Sequence, residues 1–531
     1  MAPDIQASTE APIPPLSGPR TGSRLAWAAA ILLAAVPPLI LVSRLLQFGY
    51  RFPYWDEWHL APLLERVQQG QLGFIEVWVQ HNEHRPLVPR LLMLSLARLS
   101  GWNVGWELAV SVAVAAGTFA LLLHQGLRAS PPRRPFWLAP VFSLLVFSWS
   151  QMENWVWGWQ LQVFLSTLAV VAGVMLLAGA APSGYRFAGA LAMGVVASYS
   201  FANGLLYWFA ALPVVLATPK LSRDTRIVRA ALWAVVGFLT LQSYLVEYEK
   251  PGVSPEWASS PLEYLGYVIL YLGSPVSALF ARPPWHGPPP PAPAVWHFVP
   301  GILGCMAFAV LLAQLSRCWR ASWPVRAPWL SLAAYALGSA LVTGAGRAGF
   351  GIAQALSSRY ITIASLFWCA LFALLALYLD TRPRLRLSRG LAASGAALLA
   401  VTFLGLNVWS VRVNRYWEDV ATWKRLGWQA ILAGYEAPLY LQDLCWDPAE
   451  LENTYLPIVK RYGLCGFDQP RVRDPRQAAV YVSQARRFIE RRQRGPARTY
   501  LDTALFFDPA HVEAAALRSE LCAHGPPQDP S

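Results

Sequence analysis

Two short runs concentrate ionisable side chains in a chain that has few of them. The first is Tyr54-Trp55-Asp56-Glu57-Trp58-His59; the second, some two dozen residues on, is His81-Asn82-Glu83-His84-Arg85. Adjacent carboxylates repel, and burial against Tyr54, Trp55 and Trp58 would raise the pKa of at least one of them. A carboxylate tuned in this way suits general-base work or a divalent cation, Mg or Mn, with Asp56 and Glu57 as its ligands. A solvated interfacial pair between Trp anchors is the plainer alternative. The second run allows several chemistries. His59, His81, Glu83 and His84 could complete an acceptor or metal site beside Asp56. Arg85 offers the forked cation that a phosphate needs. The spacing H-x-E-H matches neither H-E-x-x-H nor H-x-x-E-H, so a hydrolytic zinc centre is a weak reading. A hydrated helix N-terminus, with Pro86 in the first turn, uses the same residues structurally.

A third segment, Gly346-Arg347-Ala348-Gly349-Phe350-Gly351 through Ser358-Arg359-Tyr360, lies between two apolar runs. Arg347 and Arg359 are costly at a membrane face unless they meet an anion or a carboxylate. Without a preceding strand, the glycine pattern is not a nucleotide fingerprint. Glu153 with Asn154, and Asn203 with Gly204, fall at turns where local turn chemistry is the simpler explanation.

The scaffold that must hold these groups is membranous. Of 531 residues, 55% are hydrophobic and 14% charged, against about 25% charged in soluble domains. The expected fold class is an all-α polytopic membrane protein of roughly eleven transmembrane helices. The net charge of +13 would suggest nucleic acid in a soluble protein; here the arginines fall in short loops between apolar runs and read as topology signals, so no nucleic-acid partner is expected. Residues 1–24 form a Pro- and Ser-rich cytoplasmic start, expected to be disordered, and the first apolar run reads as a signal anchor. The membrane domain spans 25–410. Its first outer loop, 48–104, holds amphipathic surface helices at Leu60 to Val67 and Leu87 to Leu99.

Later spans are expected at Gly105 to Leu127, Phe136 to Trp149, Leu161 to Ala181, Tyr185 to Ser200, Leu205 to Ala217 and Ala230 to Val246. Four more follow at Gly301 to Leu315, Trp329 to Thr343, Ile361 to Leu379 and Leu391 to Ser410. Leu262 to Phe280 is kept as a re-entrant or interfacial piece, because this places every basic loop on one face. The N-terminus is then cytoplasmic and the C-terminus extracytoplasmic, with a bacterial inner membrane the expected setting. The tail, 411–531, is a small, soluble, helical region whose end resembles one tetratricopeptide-type helical pair. No C-x-x-C pair occurs; a Cys445–Cys465 disulfide is open to the chain in an oxidising compartment.

An acidic pair at the outer end of the first span, followed by surface helices and about ten more spans, resembles the GT-C class of membrane glycosyltransferases. Protein mannosyltransferases and aminoarabinose transferases belong to that class. The resemblance covers the topology of residues 25 to 410, and at motif level only the acidic pair. Trp58 follows the pair where several members carry a small or basic residue. The resemblance implies a polyprenyl-phosphate-linked sugar donor, a glycan, lipid or protein acceptor, and membrane lipids as surroundings. It implies that Asp56, and less directly Glu57, acts as base or metal ligand, and that Arg85, Arg347 or Arg359 meets the departing phosphate. His59, His81, Glu83, His84 and Tyr360 are the expected supporting binding residues. A transporter or flippase of lipid-linked glycans is the alternative; it would want charges deep inside the spans, which here carry almost none.

Overall fold

The computed structural model describes residues 21–129, 135–178, 183–217, 221–250, 260–279, 293–316, 319–380, 389–413, 415–470 and 472–523. Most of the N-terminal segment, the Pro run 288–291 and much of the basic loops lie outside them. Among the described residues every regular element is a helix. Seven of these are long and apolar enough to cross a membrane: Arg24–Phe48, Gly105–Arg128, Gly158–Leu177, Arg223–Leu245, Val295–Leu315, Trp323–Phe350 and Ser358–Asp380. Each is a run of about twenty or more mostly apolar residues, the length a hydrocarbon core requires. The protein is an all-α, multi-pass membrane protein.

Several expected spans are shorter or broken. The run after Pro135 yields only Leu138–Phe147, ten residues, before a 3-10 turn at Trp149–Gln151. The helix at Gly184–Ser198 has fifteen residues, and the run after it breaks into Ala202–Leu206, Tyr207–Ala210 and Leu212–Ala217. The piece kept as re-entrant or interfacial is a 17-residue helix, Pro261–Ser277, capped by Ser260 through its hydroxyl to Glu263 N–H. It is buried in the bundle: Tyr267, Leu270, Tyr271 and Leu272 are at most 1% exposed. Its interfacial placement is therefore corrected. Hydropathy gives the same signal for a helix covered by protein as for one covered by lipid, so the sequence could not separate the two.

The first loop begins at Gly49 and turns back along the bundle. Helices Leu60–Gln69, Phe74–Trp78 and Leu87–Ser100 occupy it. Gly70 and Gly101 close two of them in left-handed conformations, φ 68° and 64°, the usual glycine stop for a helix. Arg90 is buried and donates from Nη1 to the carbonyls of Val77, at 3.1 Å, and Val79, closing the short middle helix. Phe74, Ile75 and Leu99 are exposed, as apolar side chains are on a helix lying at a membrane surface.

The tail is not a separate appendage. Its helices Arg415–Ala433 and Pro438–Leu444 share one core with the first loop. Trp58 Nε1 donates to Leu444 O at 3.2 Å, and its ring packs on Trp102, Trp428 and Tyr455. Phe52 stacks on Trp428 with centroids 5.5 Å apart, and Cys465 N–H donates to Gly101 O at 2.8 Å. Cys445 and Cys465 are both free and buried, so the disulfide open to the chain is not formed. Helices Ala478–Glu490, Arg494–Phe507 and Val512–Ala523 pack in succession, each on the next. Trp58 is fully buried at the seam. Trp58→Ala should therefore cost about 3–5 kcal/mol and free the tail for proteolysis. Thermal unfolding with limited proteolysis measures both, and a variant as resistant as wild type would show that the seam is held elsewhere.

Candidate functional site

The acidic pair sits on a five-residue 3-10 helix, Trp55–His59. Trp55 adopts φ 52°, which turns the chain sharply. Tyr54 N–H donates to Glu57 Oε2 at 3.3 Å and closes the turn. In so tight a turn neighbouring side chains point in different directions. Glu57 points inward and is 0% exposed, while Asp56 keeps 28% of its side chain in the open.

Glu57 faces Glu107, itself 1% exposed at the start of helix Gly105–Ala129. Both carboxyls press on Gly158, where a Cβ would collide with Glu57 Oε1 and Glu107 Oε2. Burial, then the neighbouring Glu107, pushes the Glu57 pKa well above the ordinary range. Two fully buried carboxyls side by side cannot both ionise. Burial disfavours the Glu57 charge, and Glu57 is a structural acid. Glu57 is thereby withdrawn as a solvent-facing base. A cation bridging Asp56 and Glu57 does not fit either, because the two carboxyls diverge. Among the described residues no three His, Cys, Asp or Glu side chains converge on a metal-sized site.

Asp56 behaves oppositely. Burial would raise its pKa, but the nearby His81, with His59 and Arg359 behind, holds it below the usual value. Asp56 Oδ2 lies 3.8 Å from His81 Nε2. His81 is pinned by Trp159, centroids 4.9 Å apart, and touches the exposed His59 ring at 4.8 Å. The run His81 to His84 is a tight turn whose ends exchange backbone hydrogen bonds of 2.8 and 2.9 Å, with Asn82 in the left-handed region at φ 49°. Asn tolerates that conformation better than most residues.

The turn delivers Glu83 to Arg347, whose Nη2 pairs with Glu83 Oε1. His84 Nε2 is 3.7 Å from the same oxygen. Burial works against the Glu83 charge, yet His84 and Arg347 hold its pKa down to about 2. His84 is driven to about 4, chiefly by burial. It is neutral at physiological pH and accepts Ala202 N–H on Nδ1 at 3.2 Å. Arg359 lies 3.8 Å from Glu153, which also takes hydroxyl donors from Ser357 at 3.4 Å and from Ser358 at 2.5 Å. Tyr360 stacks on Tyr271 with centroids 5.3 Å apart.

Arg85 is placed elsewhere. It is 4% exposed; Nε donates to Tyr244 O at 2.7 Å, Nη2 to Val246 O, and the plane lies over Trp78. These are the last carbonyls of helix Arg223–Leu245, so the guanidinium serves as a C-terminal cap. The expected phosphate contact from Arg85 is replaced by this structural one.

Beside Tyr54 and Trp55 lies a cavity of about 250 Å³ that the sequence did not announce. Tyr54, Trp55, Glu153 and Trp157 form its bundle wall; Tyr416, Trp423, Lys424 and Asp443 form its tail wall. Asp56 and Glu57 stand outside its lining. Lys424 Nζ donates to Tyr54 Oη and to Asp443 O, both at 2.9 Å, and sits 4.0 Å from the Tyr54 ring centroid. Burial lowers its pKa to about 8, against the pull of Asp443 and Glu153. Glu107 and Lys424 went unread because a helix-start glutamate and a lysine on an amphipathic helix are ordinary in sequence.

Fold and site thus define a multi-pass helical membrane protein with a part-exposed carboxylate, a buried carboxyl pair and two carboxylate-paired arginines. In comparisons with known proteins, no family model, no curated protein and no solved structure matches the chain.

The raised Glu57 pKa sets a pH dependence. A carboxyl whose folded pKa is raised contributes its full stability below the unfolded value and loses it as pH climbs through the folded value. Thermal stability in detergent should fall as pH rises above the ordinary glutamate range, and Glu57→Gln should flatten that fall. A variant as pH-sensitive as wild type would remove the acid pair as the cause.

Proposed function

We propose that the chain is a membrane glycosyltransferase that moves a sugar from a polyprenyl-phosphate-linked donor to an acceptor hydroxyl. The observation that carries this reading is the division of labour in the acidic pair. Glu57 is buried against Glu107, whereas Asp56 is part-exposed and lies 3.8 Å from His81 Nε2, so Asp56 is the acid that an acceptor hydroxyl can reach. Asp56 takes the acceptor hydroxyl proton as the oxygen attacks the anomeric carbon. The bond from that carbon to the phosphate oxygen breaks, and its electron pair leaves with the polyprenyl phosphate. A single displacement of this kind inverts the anomeric centre.

Arg347 and Arg359 are the cations for the leaving phosphate. Each keeps about a third of its side chain accessible, 34% and 29%, and each already has one carboxylate partner to orient it. A guanidinium has five N–H donors, so a phosphate can join the existing pair without displacing it. His84 and Glu83 act by holding Arg347; His59 and His81 act on Asp56. No step is assigned to a metal, for which the acidic pair does not converge.

In this reading the protein belongs to the GT-C-like class, with roughly eleven membrane crossings once the shorter helices are counted. The N-terminus is cytoplasmic, and the site and tail face the extracytoplasmic side of a bacterial plasma membrane. The test uses full-length protein in nanodiscs with polyprenyl-phosphate-linked hexoses. Asp56→Asn should leave the melting temperature near wild type and lower transfer by about 10²–10⁴, the usual contribution of a general base. Full transfer by that variant at normal expression would sink the assignment.

A further inference from the structure

The cavity beside Tyr54 is unused by the chemistry above. Its walls come from opposite ends of the chain. On the bundle side, Trp157 meets Tyr54 at 5.4 Å and 70°, and Trp55 at 6.5 Å and 75°. On the tail side, Tyr416 meets Trp423 at 6.3 Å and 89°. Trp and Tyr rings from both walls line the cavity, an aromatic box. Glu153, Lys424, Gln442 and Asp443 supply polar groups between them.

We propose that this box is a binding subsite for one neutral pyranose ring of a glycan acceptor. The electron-rich faces of Trp and Tyr suit the C–H faces of a sugar, and carboxylate, amide and amine groups suit its hydroxyls. Size agrees: about 250 Å³ is below the ~300–1,000 Å³ of sites for drug-sized ligands and fits one ring rather than an extended chain.

The other occupants fit less well. An alkyl tail would strand the polar groups. A phosphate would meet two carboxylates, Glu153 and Asp443, against one amine. A quaternary ammonium would seek an aromatic face, yet Lys424 already occupies the Tyr54 face and would repel it. The box also joins the reactive centre at two points. Tyr54 and Trp55 lead directly into Asp56, and Glu153 faces both the box and Arg359. The word acceptor rests on the transferase reading, whereas the binding of a sugar does not.

The experiment is saturation-transfer NMR on full-length protein in nanodiscs, with methyl mannoside and methyl glucoside as probes and glucuronate and choline as comparators. The neutral glycosides should take up saturation, most strongly at one C–H face, and the comparators should take up little. Val420 lines the box and is partly exposed, so Val420→Phe fills it without removing a wall. It should weaken glycoside binding by about tenfold or more. Gln442→Ala, on the exposed rim, should give a smaller loss and guards against misfolding of the first variant. Asp56→Asn should bind the glycosides as wild type does. No saturation in wild type, equal saturation in both box variants, or a preference for choline or glucuronate overturns the subsite and leaves the role of Asp56 standing. Normal glycoside binding with no sugar transfer by wild type overturns the transferase reading and leaves the subsite standing.

Discussion

The inward turn of Glu57 is the constraint on which the rest of the site depends. In this five-residue 3-10 turn Glu57 and Trp58 are buried while Asp56 stays part-exposed. Glu57 is sealed against Glu107 and Gly158, and Trp58 beside it is sealed into the tail. Asp56 is left facing His81. A glycine at 158 is required because the space of its missing Cβ is filled by two carboxyl oxygens. Burying two acids side by side disfavours their charged forms. The same arrangement that strains the interior thus defines which carboxylate is free to react.

The seam between first loop and tail extends this logic. Trp58, Phe52 and Trp428 form one apolar layer, and Cys465 closes on Gly101 through backbone. The raised pKa of Cys465, from burial and then from Glu57 and Glu107, places its thiol beside the acid pair and keeps it protonated. Tail and bundle therefore fold around a common core, and the aromatic box exists only where they meet. Lys424 belongs to the tail, yet its amine is held by Tyr54 of the first loop.

The charged runs that stand out in the sequence divide into two kinds. His81, Glu83 and Arg347 make a network around a tight turn, and Arg359 with Glu153 makes a second one. Arg85 and Arg90 look equivalent to them in sequence, but both are spent on backbone carbonyls at helix ends. Charge type and spacing do not distinguish these fates, because a carbonyl cap and an anion partner ask for the same guanidinium.

The sequence by itself determined the solvent of the fold and the address of the site. Long apolar runs with few charges mark a membrane protein, and the 3.6-residue spacing after Leu87 is enough for the surface helix that follows. It also located the acidic pair, the histidine turn and the two arginines. Tertiary structure alone decided which acid is buried, which arginine is a cap, and that Pro261–Ser277 is an interior helix. It alone brought Lys424 and Trp423 to Tyr54 across some 370 residues. The reason is physical: hydropathy and periodicity record how much of a segment is covered, whereas pKa, pairing and cavity shape depend on what covers it.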